Sequence, residues 1–272
     1  MTGSLTAAGD ITINGTLSMS TAVGGDLEVG GDFELASSGT FNENDRALTF
    51  NGTGAQAVNG TSNLVLKYAI INKSSGTLTL NTPLEIEAGG VLWPTSGSLD
   101  LNSQGLTMHS DATGTAAIGA VGTGITGDIT FERFVPDNTN DATSFVNLSS
   151  YVSGINATNW TGAGSSWIFE YDETNTGGLN DGWVETSGTL AHTGKGYMAE
   201  FPGDASVTLT YTGALNSGTQ AVAITNTSSG IAENDAWNLV GNPYPAPVTY
   251  GNLAWTAAEG VTKPAGFYIY DG

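Results

Sequence analysis

Cysteine is absent from the 272-residue chain, and basic residues are scarce. The lack of cysteine excludes disulfides, thiolate metal sites and cysteine nucleophiles. Only 6 Lys and Arg stand against 26 Asp and Glu, which gives a formal net charge of −20 at pH 7. Because such a charge repels nucleic acid and anionic membrane surfaces, the sequence predicts neither as a partner.

Long apolar runs are also missing. No stretch of about 18 apolar residues occurs, so the sequence predicts no membrane insertion. The opening MTGSLTAAGD has neither the basic nor the apolar region of a signal peptide. The closing GFYIYDG has the pattern of a strand that stops as soon as it forms. We therefore expect a segment of a longer, exported chain, whose signal peptide lies outside it.

Short alternating segments fill the first half of the sequence. GDITING at residues 9–15, GDLEVGGDFEL at 25–35 and GDITF at 127–131 place apolar residues at every second position after Gly-Asp. Alternation with a period of two predicts half-buried strands, and the glycine before each strand predicts a turn. A second motif recurs at irregular spacing as SSGTF, SSGTLTL and TSGSLDL.

These repeats predict an all-β protein whose first domain, residues 1–127, is an irregular β-solenoid (β-helix-like) with stacked coils of roughly 20 residues. A β-sandwich with long hairpins is the alternative for this region. The side chains expected inside the coils are Ile11, Ile13, Leu27, Val29, Phe33, Leu35, Leu78, Leu80, Leu84, Ile86, Leu99 and Leu101.

The second half is richer in aromatic residues, and five of the six tryptophans follow residue 150. Seven short segments with strand-like patterns lie at residues 130–135, 166–171, 196–201, 206–211, 221–225, 237–240 and 266–270. They predict a second domain, residues 128–272, that is an antiparallel β-sandwich of the jelly-roll or immunoglobulin-like type.

A proline cluster follows one of these segments, in WNLVGNPYPAPV at residues 237–248. Proline cannot donate a hydrogen bond to a β-ladder and forces the preceding residue into an extended conformation. The cluster therefore predicts a stiff corner, in which Tyr244 covers a sheet edge or one end of the core.

Four segments of the second half, TFERFVP, GKGYMAEFPG, WNLVGNPYPAPV and GFYIYDG, occur in this order. With upstream stretches such as LTFNGTGAQAVNG and SGSLDLNS, they resemble a module of large secreted and cell-surface proteins of Bacteroidota. In those proteins the module precedes a C-terminal sorting domain for the type IX secretion system. The resemblance implies an adhesin-like protein that is cargo of the secretion machinery and acts at the cell surface or outside the cell. No set of catalytic residues comes with it.

Motifs for catalysis are lacking as well. The two histidines, His109 and His192, stand alone, without the paired spacing of a metal site, and no GxSxG, P-loop or HExxH motif occurs. We therefore predict no enzymatic activity, no catalytic residue and no required cofactor.

Acidic loops suit calcium, which takes six to eight oxygen ligands. One candidate loop contains Asp137, Asn138 and Asp141, and a second contains Asp172 and Asp181. Neither loop matches the EF-hand or the calcium-binding nonapeptide. The second loop also has the chemistry of a plain hairpin turn.

Three functions remain open on this basis. The first, which we expect, is a structural or adhesive surface protein with cell-surface or glycan partners and coil ends that self-stack. The second is a carbohydrate-binding module that uses exposed rings of Trp160, Trp183 and Trp255, with Trp93 as a further candidate. The third, a polysaccharide lyase or hydrolase, rests on fold analogy alone.

Overall fold

A computed structural model describes residues 4–119, 124–137, 143–156, 160, 167–175, 179–186, 190, 194–202, 205–225 and 237–249. The fold is all-β. The strands are β1 (Leu5–Ala7), β2 (Ile11–Ile13), β3 (Thr16–Ser18), β4 (Leu27–Val29), β5 (Phe33–Leu35), β6 (Thr40–Asn42), β7 (Ala47–Phe50), β8 (Gln56–Gly60), β9 (Leu64–Leu80), β10 (Leu84–Asp100), β11 (Leu106–Met108), β12 (Ser110–Asp111), β13 (Gly114–Thr115), β14 (Ala117–Ile118), β15 (Ile125–Thr126), β16 (Asp128–Val135), β17 (Thr143–Leu148), β18 (Trp167–Tyr171), β19 (Trp183–Glu185), β20 (Tyr197–Pro202) and β21 (Val207–Ala214).

The first half is a β-solenoid of about six turns, as the repeats predicted. Parallel pairing defines a first face from β1, β4, β7, the middle of β9 and β10, and β14. A second face contains β2, β5, β8, the ends of β9 and β10, and β15. On the third side β3 pairs with β6. The start of β9 pairs there with the start of β10, which pairs with β11, and β11 pairs with β16. β9 and β10 are long because each continues around corners from one side to the next.

Successive coils lie slightly more than twenty residues apart. The side chain of Thr12 donates to Glu34, 22 residues on, and Ala47 N donates to the Asp26 carboxylate, 21 residues back. Small changes in corner length between coils explain the irregular spacing of the sequence motifs.

Alternation along each short strand turns every second side chain into the solenoid. Of the twelve side chains predicted inside, ten are fully buried, while Ile11 and Leu35 are partly buried against the same core. Phe33 anchors the early coils, where its ring packs edge-on against Phe41 and Phe50. The core is one continuous column, because each coil adds its own apolar rung.

The last coil is covered by residues from the second half. β16 pairs in parallel with β11 and antiparallel with β21 over eight residues. On the first face Ile118 N donates to Pro245 O at 3.1 Å, so the proline corner lies against the sheet edge through Pro245, whereas Tyr244 was the residue predicted to cover it. The Tyr244 hydroxyl fixes this corner by donating to Gly218 O at 2.6 Å.

Beyond the solenoid, β17, β20, β18 and β19 form a four-stranded antiparallel sheet. Ile168, Tyr197, Ala199 and Phe201 are buried on it. A two-sheet sandwich is not among the sheets of the described residues, and β16 of the expected second domain belongs to the solenoid sheet. Residues 221–225 are not a strand, Val240 makes only an isolated bridge to Lys195, and 266–270 lie outside the described residues.

No helix in the described part of the chain combines the length and apolar character of a membrane span.

Candidate functional site

His109 follows β11 on the third side of the solenoid and lies between carboxylates of the two neighbouring coils. Its Nε2 is 2.9 Å from Glu85 Oε2 and its Nδ1 is 3.0 Å from Glu132 Oε2. Burial opposes protonation, but the two hydrogen bonds outweigh it and raise the pKa of His109. The hydrogen bond from His109 lowers the pKa of Glu85. Both ring nitrogens face carboxylates, so both donate when the histidine is protonated. The imidazolium then joins three coils, and neither nitrogen is free for general-base chemistry.

Glu43, Asp45 and Glu87 place carboxylate oxygens within 4.8 Å of one another at a corner of the solenoid. Burial, together with the nearby Glu87 and Asp45 charges, raises the pKa of Glu43. Arg46 N and Lys67 N donate to the two Glu43 oxygens at 2.9 and 3.3 Å. These amides oppose the rise in pKa and hold the Glu43 carboxylate in place, while Asp45 is exposed.

The acidic residues predicted to bind calcium are only partly described. Asp137 is exposed at the end of β16, while Asn138 and Asp141 lie outside the described residues. Asp172 is exposed in the hairpin between β18 and β19, where Thr174 donates to it through N and Oγ1 and lowers its pKa. Asp181 is exposed in the same loop, and its carbonyl accepts from Asn175 Nδ2 at 2.9 Å. The described residues 172–175 and Asp181 therefore lie in the connection of the antiparallel β18–β19 hairpin, and calcium there stays a prediction.

The tryptophans predicted to bind carbohydrate lie in different environments. Trp160 is 1% exposed and packs edge-on against Tyr197 and Tyr211, so the expectation of an exposed ring is wrong there. Trp183 is half-buried, edge-on to Tyr171 at a centroid distance of 5.1 Å. Trp255 lies outside the described residues. Trp93 is 40% exposed on the first face of the solenoid.

A small cavity of about 120 Å³ lies between the solenoid end and the four-stranded sheet. Its lining consists of Arg133, Asn147, Leu148, Ser149, Tyr151, Trp160, Leu209 and Tyr211. This volume is well below the roughly 300 Å³ of a small-molecule site. The lining contains no carboxylate and no histidine, so it offers neither half of an acid–base pair for glycoside hydrolysis.

Lys73 is an ionisable group that the sequence did not predict to be buried, yet its side chain lies inside the solenoid at 1% exposure. Its Nζ donates to Gly52 O at 2.9 Å and to Gln56 Oε1 at 2.6 Å. Burial lowers the pKa of Lys73, and the Asp32 charge opposes that shift. Both acceptors are uncharged oxygens of the preceding coil, so the buried lysine links its own coil to that one.

Residues 43–264 match the family described as Domain of unknown function (DUF8693). The chain therefore belongs to the DUF8693 family. No curated protein and no solved structure matches it. The matched span begins in the second coil of the solenoid and takes in Glu43, His109, the cavity lining and the proline corner.

The groups brought together within this span were hard to find in the sequence. Glu43 and Glu87, or His109 and Glu132, are separated by whole coils, and only coil register makes them neighbours. One usable signal existed. Residues that occupy the same position of successive repeats stack along the solenoid, so an aligned repeat would have placed His109 beside Glu132. Glu85 is aligned with Thr107 instead, so its contact with His109 runs diagonally between coils and would not have been found in this way.

Proposed function

We propose that the protein is a non-catalytic structural or adhesive segment of an exported surface protein. The observation that carries the proposal is the continuous solenoid column, whose coils repeat a row of outward side chains at fixed spacing. A rigid repeated surface suits multivalent contact, in which many weak contacts act together. Among the described residues, neither the cavity lined by Arg133 and Trp160 nor the contact of His109 with Glu85 and Glu132 offers a set of groups suited to catalysis.

The proposed extracellular or cell-surface localisation rests on the resemblance to secreted and cell-surface proteins of Bacteroidota. Type IX secretion is the proposed route. The net charge of −20 supports it, since a strongly acidic surface stays soluble and avoids nucleic acid. We also propose that the four-stranded sheet is one layer of a β-sandwich, because it is antiparallel and buries Ile168, Tyr197, Ala199 and Phe201 on one face, as a sandwich layer does.

Adhesion is tested with beads that carry the full 272-residue chain, counted on surfaces coated with cell-wall or extracellular glycans. Beads that carry heat-denatured protein are the control. We expect retention of the folded beads alone and no release of reducing ends or unsaturated sugars from soluble polysaccharides. Turnover of any polysaccharide, or equal retention of both kinds of bead, contradicts the proposal.

A further inference from the structure

Two aromatic rings lie side by side on the outside of the solenoid, on its first face. The Tyr68 and Trp93 ring centroids are 6.4 Å apart, and the ring planes differ by 17°. Tyr68 belongs to β9, where it pairs in register with Val91 of β10, two residues before Trp93. The rings are therefore diagonal neighbours on adjacent coils, and Trp93 is 40% exposed.

Backbone geometry fixes the indole in place. Gly119 N donates to Leu92 O at 2.8 Å, so Gly119 follows β14 directly beside Trp93. A Cβ atom on Gly119 would lie 2.0 Å from Trp93 Cδ1, which no real structure tolerates. The indole therefore lies against the bare backbone of Gly119, and this contact restricts the rotation of the Trp93 side chain. A side chain that is already restricted loses less entropy when a ligand binds.

Polar groups border the rings on the same face. The register places Glu28, Thr49, Ile70 and Trp93 in one row across four coils. Asn51 Nδ2 donates to Glu28 Oε2 at 3.1 Å, and Asn72 lies two residues beyond Ile70. Thr49 lies one coil from Tyr68, and Asn72 Oδ1 accepts from the hydroxyls of Thr95 and Ser96, which follow Trp93. Hydroxyl and amide groups thus lie beside the aromatic pair, while Glu28 lies two coils from Tyr68 and adds negative charge to the same face.

We propose that this surface, the Tyr68–Trp93 platform, binds a neutral saccharide chain; the inference rests on the proposed adhesive function and names its ligand class. The apolar C–H face of a pyranose ring packs on an aromatic ring, while its hydroxyls need acceptors and donors at the ring edge. The platform supplies both, and an open chain of sugars needs no enclosed pocket. Charge selects the class of glycan. Glu28 and the net charge of −20 repel acidic polysaccharides, so the ligand we propose is neutral.

The test is affinity electrophoresis and titration calorimetry of the full chain with neutral amylopectin, mannan and xyloglucan, and with anionic alginate. Trp93→Ala and Tyr68→Ala are compared with Trp167→Ala, which removes a tryptophan that is 46% exposed on the four-stranded sheet. We expect at least one neutral glycan to bind, a loss of about tenfold or more in affinity for both platform variants, and no change for Trp167→Ala. Circular dichroism confirms that each variant is folded.

Binding to alginate alone, equal affinity of the Trp93→Ala and Trp167→Ala variants, or no binding of any glycan overturns the inference. A dimer in sedimentation that Trp93→Ala abolishes, without glycan binding, overturns it too, because a second copy then covers the platform. Two outcomes separate the failure of one proposal from that of the other. If beads that carry Trp93→Ala adhere as well as wild-type beads, the adhesive function stands and the platform is wrong. If the chain binds glycan in solution through the platform but the beads do not adhere, the platform stands and the adhesive function is wrong.

Discussion

His109 Nε2 lies 2.9 Å from Glu85 Oε2, across the boundary between two coils of the solenoid. With Glu132 on the other ring nitrogen, the contact joins three coils through one imidazolium. The raised pKa of His109 means that its stabilising contribution is complete below the ordinary value of 6.5 and is lost as the pH rises through the folded value. The lowered pKa of Glu85 means that its contribution is present above 4.5 and is lost as the pH falls.

The first prediction is therefore a window between pH 4.5 and 6.5, in which the His109–Glu85 contact stabilises the fold most. Urea unfolding of wild type and His109→Gln measures it. We expect the variant to lose about 1 kcal/mol near pH 5.5, since the pair is partly screened by solvent, and much less near pH 9. A Glu85→Gln/His109→Gln double variant that shows simple additivity contradicts a direct coupling.

A second prediction concerns the buried Lys73. Replacement with methionine keeps the apolar stem but leaves Gly52 O without its donor and removes one of two donors to Gln56 Oε1. We expect Lys73→Met to lower the free energy of unfolding by about 1–3 kcal/mol, as for other unsatisfied buried acceptors. Lys67→Met is the matched control, because Lys67 is only half-buried and should cost less. An equal cost for both variants contradicts the assignment.

The core column supports a third prediction. Phe33 is fully buried between the rings of Phe41 and Phe50, so Phe33→Ala leaves a cavity that neighbouring coils cannot fill. We expect a loss of about 3–5 kcal/mol, measured by urea unfolding. Val23 is 89% exposed in a loop of the same coil region, and Val23→Ala should change stability by less than about 0.5 kcal/mol.

The proline corner gives a fourth prediction. Asn216 is buried, and its Nδ2 donates to Ser150 O at 3.0 Å and to Pro243 O at 3.1 Å. We expect Asn216→Ala to loosen the corner and to cost about 1–3 kcal/mol. Hydrogen exchange of the Ile118 amide should accelerate more than that of Gly119, because only the Ile118 amide donates to the corner. Unchanged exchange at Ile118 would show that the corner does not depend on Asn216.

The strands of the solenoid and of the second half were not equally predictable. In the solenoid, Gly-Asp turns and alternation marked β2, β4 and β5 and their buried faces, whereas the buried side chains of Leu48, Leu64 and Leu106 were not predicted. In the second half, β16, β18, β20 and β21 were foreseen within a few residues, but β17 and β19 were missed. Thr143–Leu148 has one apolar run among polar residues, and Trp183–Glu185 is too short for a periodic signal.

The candidate sites were predicted less well than the fold, because sites depend on contacts between coils. Trp160 looked like the other tryptophans in the sequence, yet its ring fills the core beside Tyr197 and Tyr211. Trp93 became the best exposed aromatic platform only because the register put Tyr68 beside it. Neither outcome follows from the local pattern of apolar residues.

The sequence by itself determined the all-β class, the inward side of the solenoid strands that alternate clearly, such as β4 and β5, and the proline corner. These features are local, since the pleat alternates side chains and proline restricts its own neighbourhood. Only the tertiary structure decided which carboxylate meets His109, where Lys73 is buried and which rings stack. Those pairs join residues more than one strand apart, and their contact depends on the length of each corner between them, which no local alternation encodes.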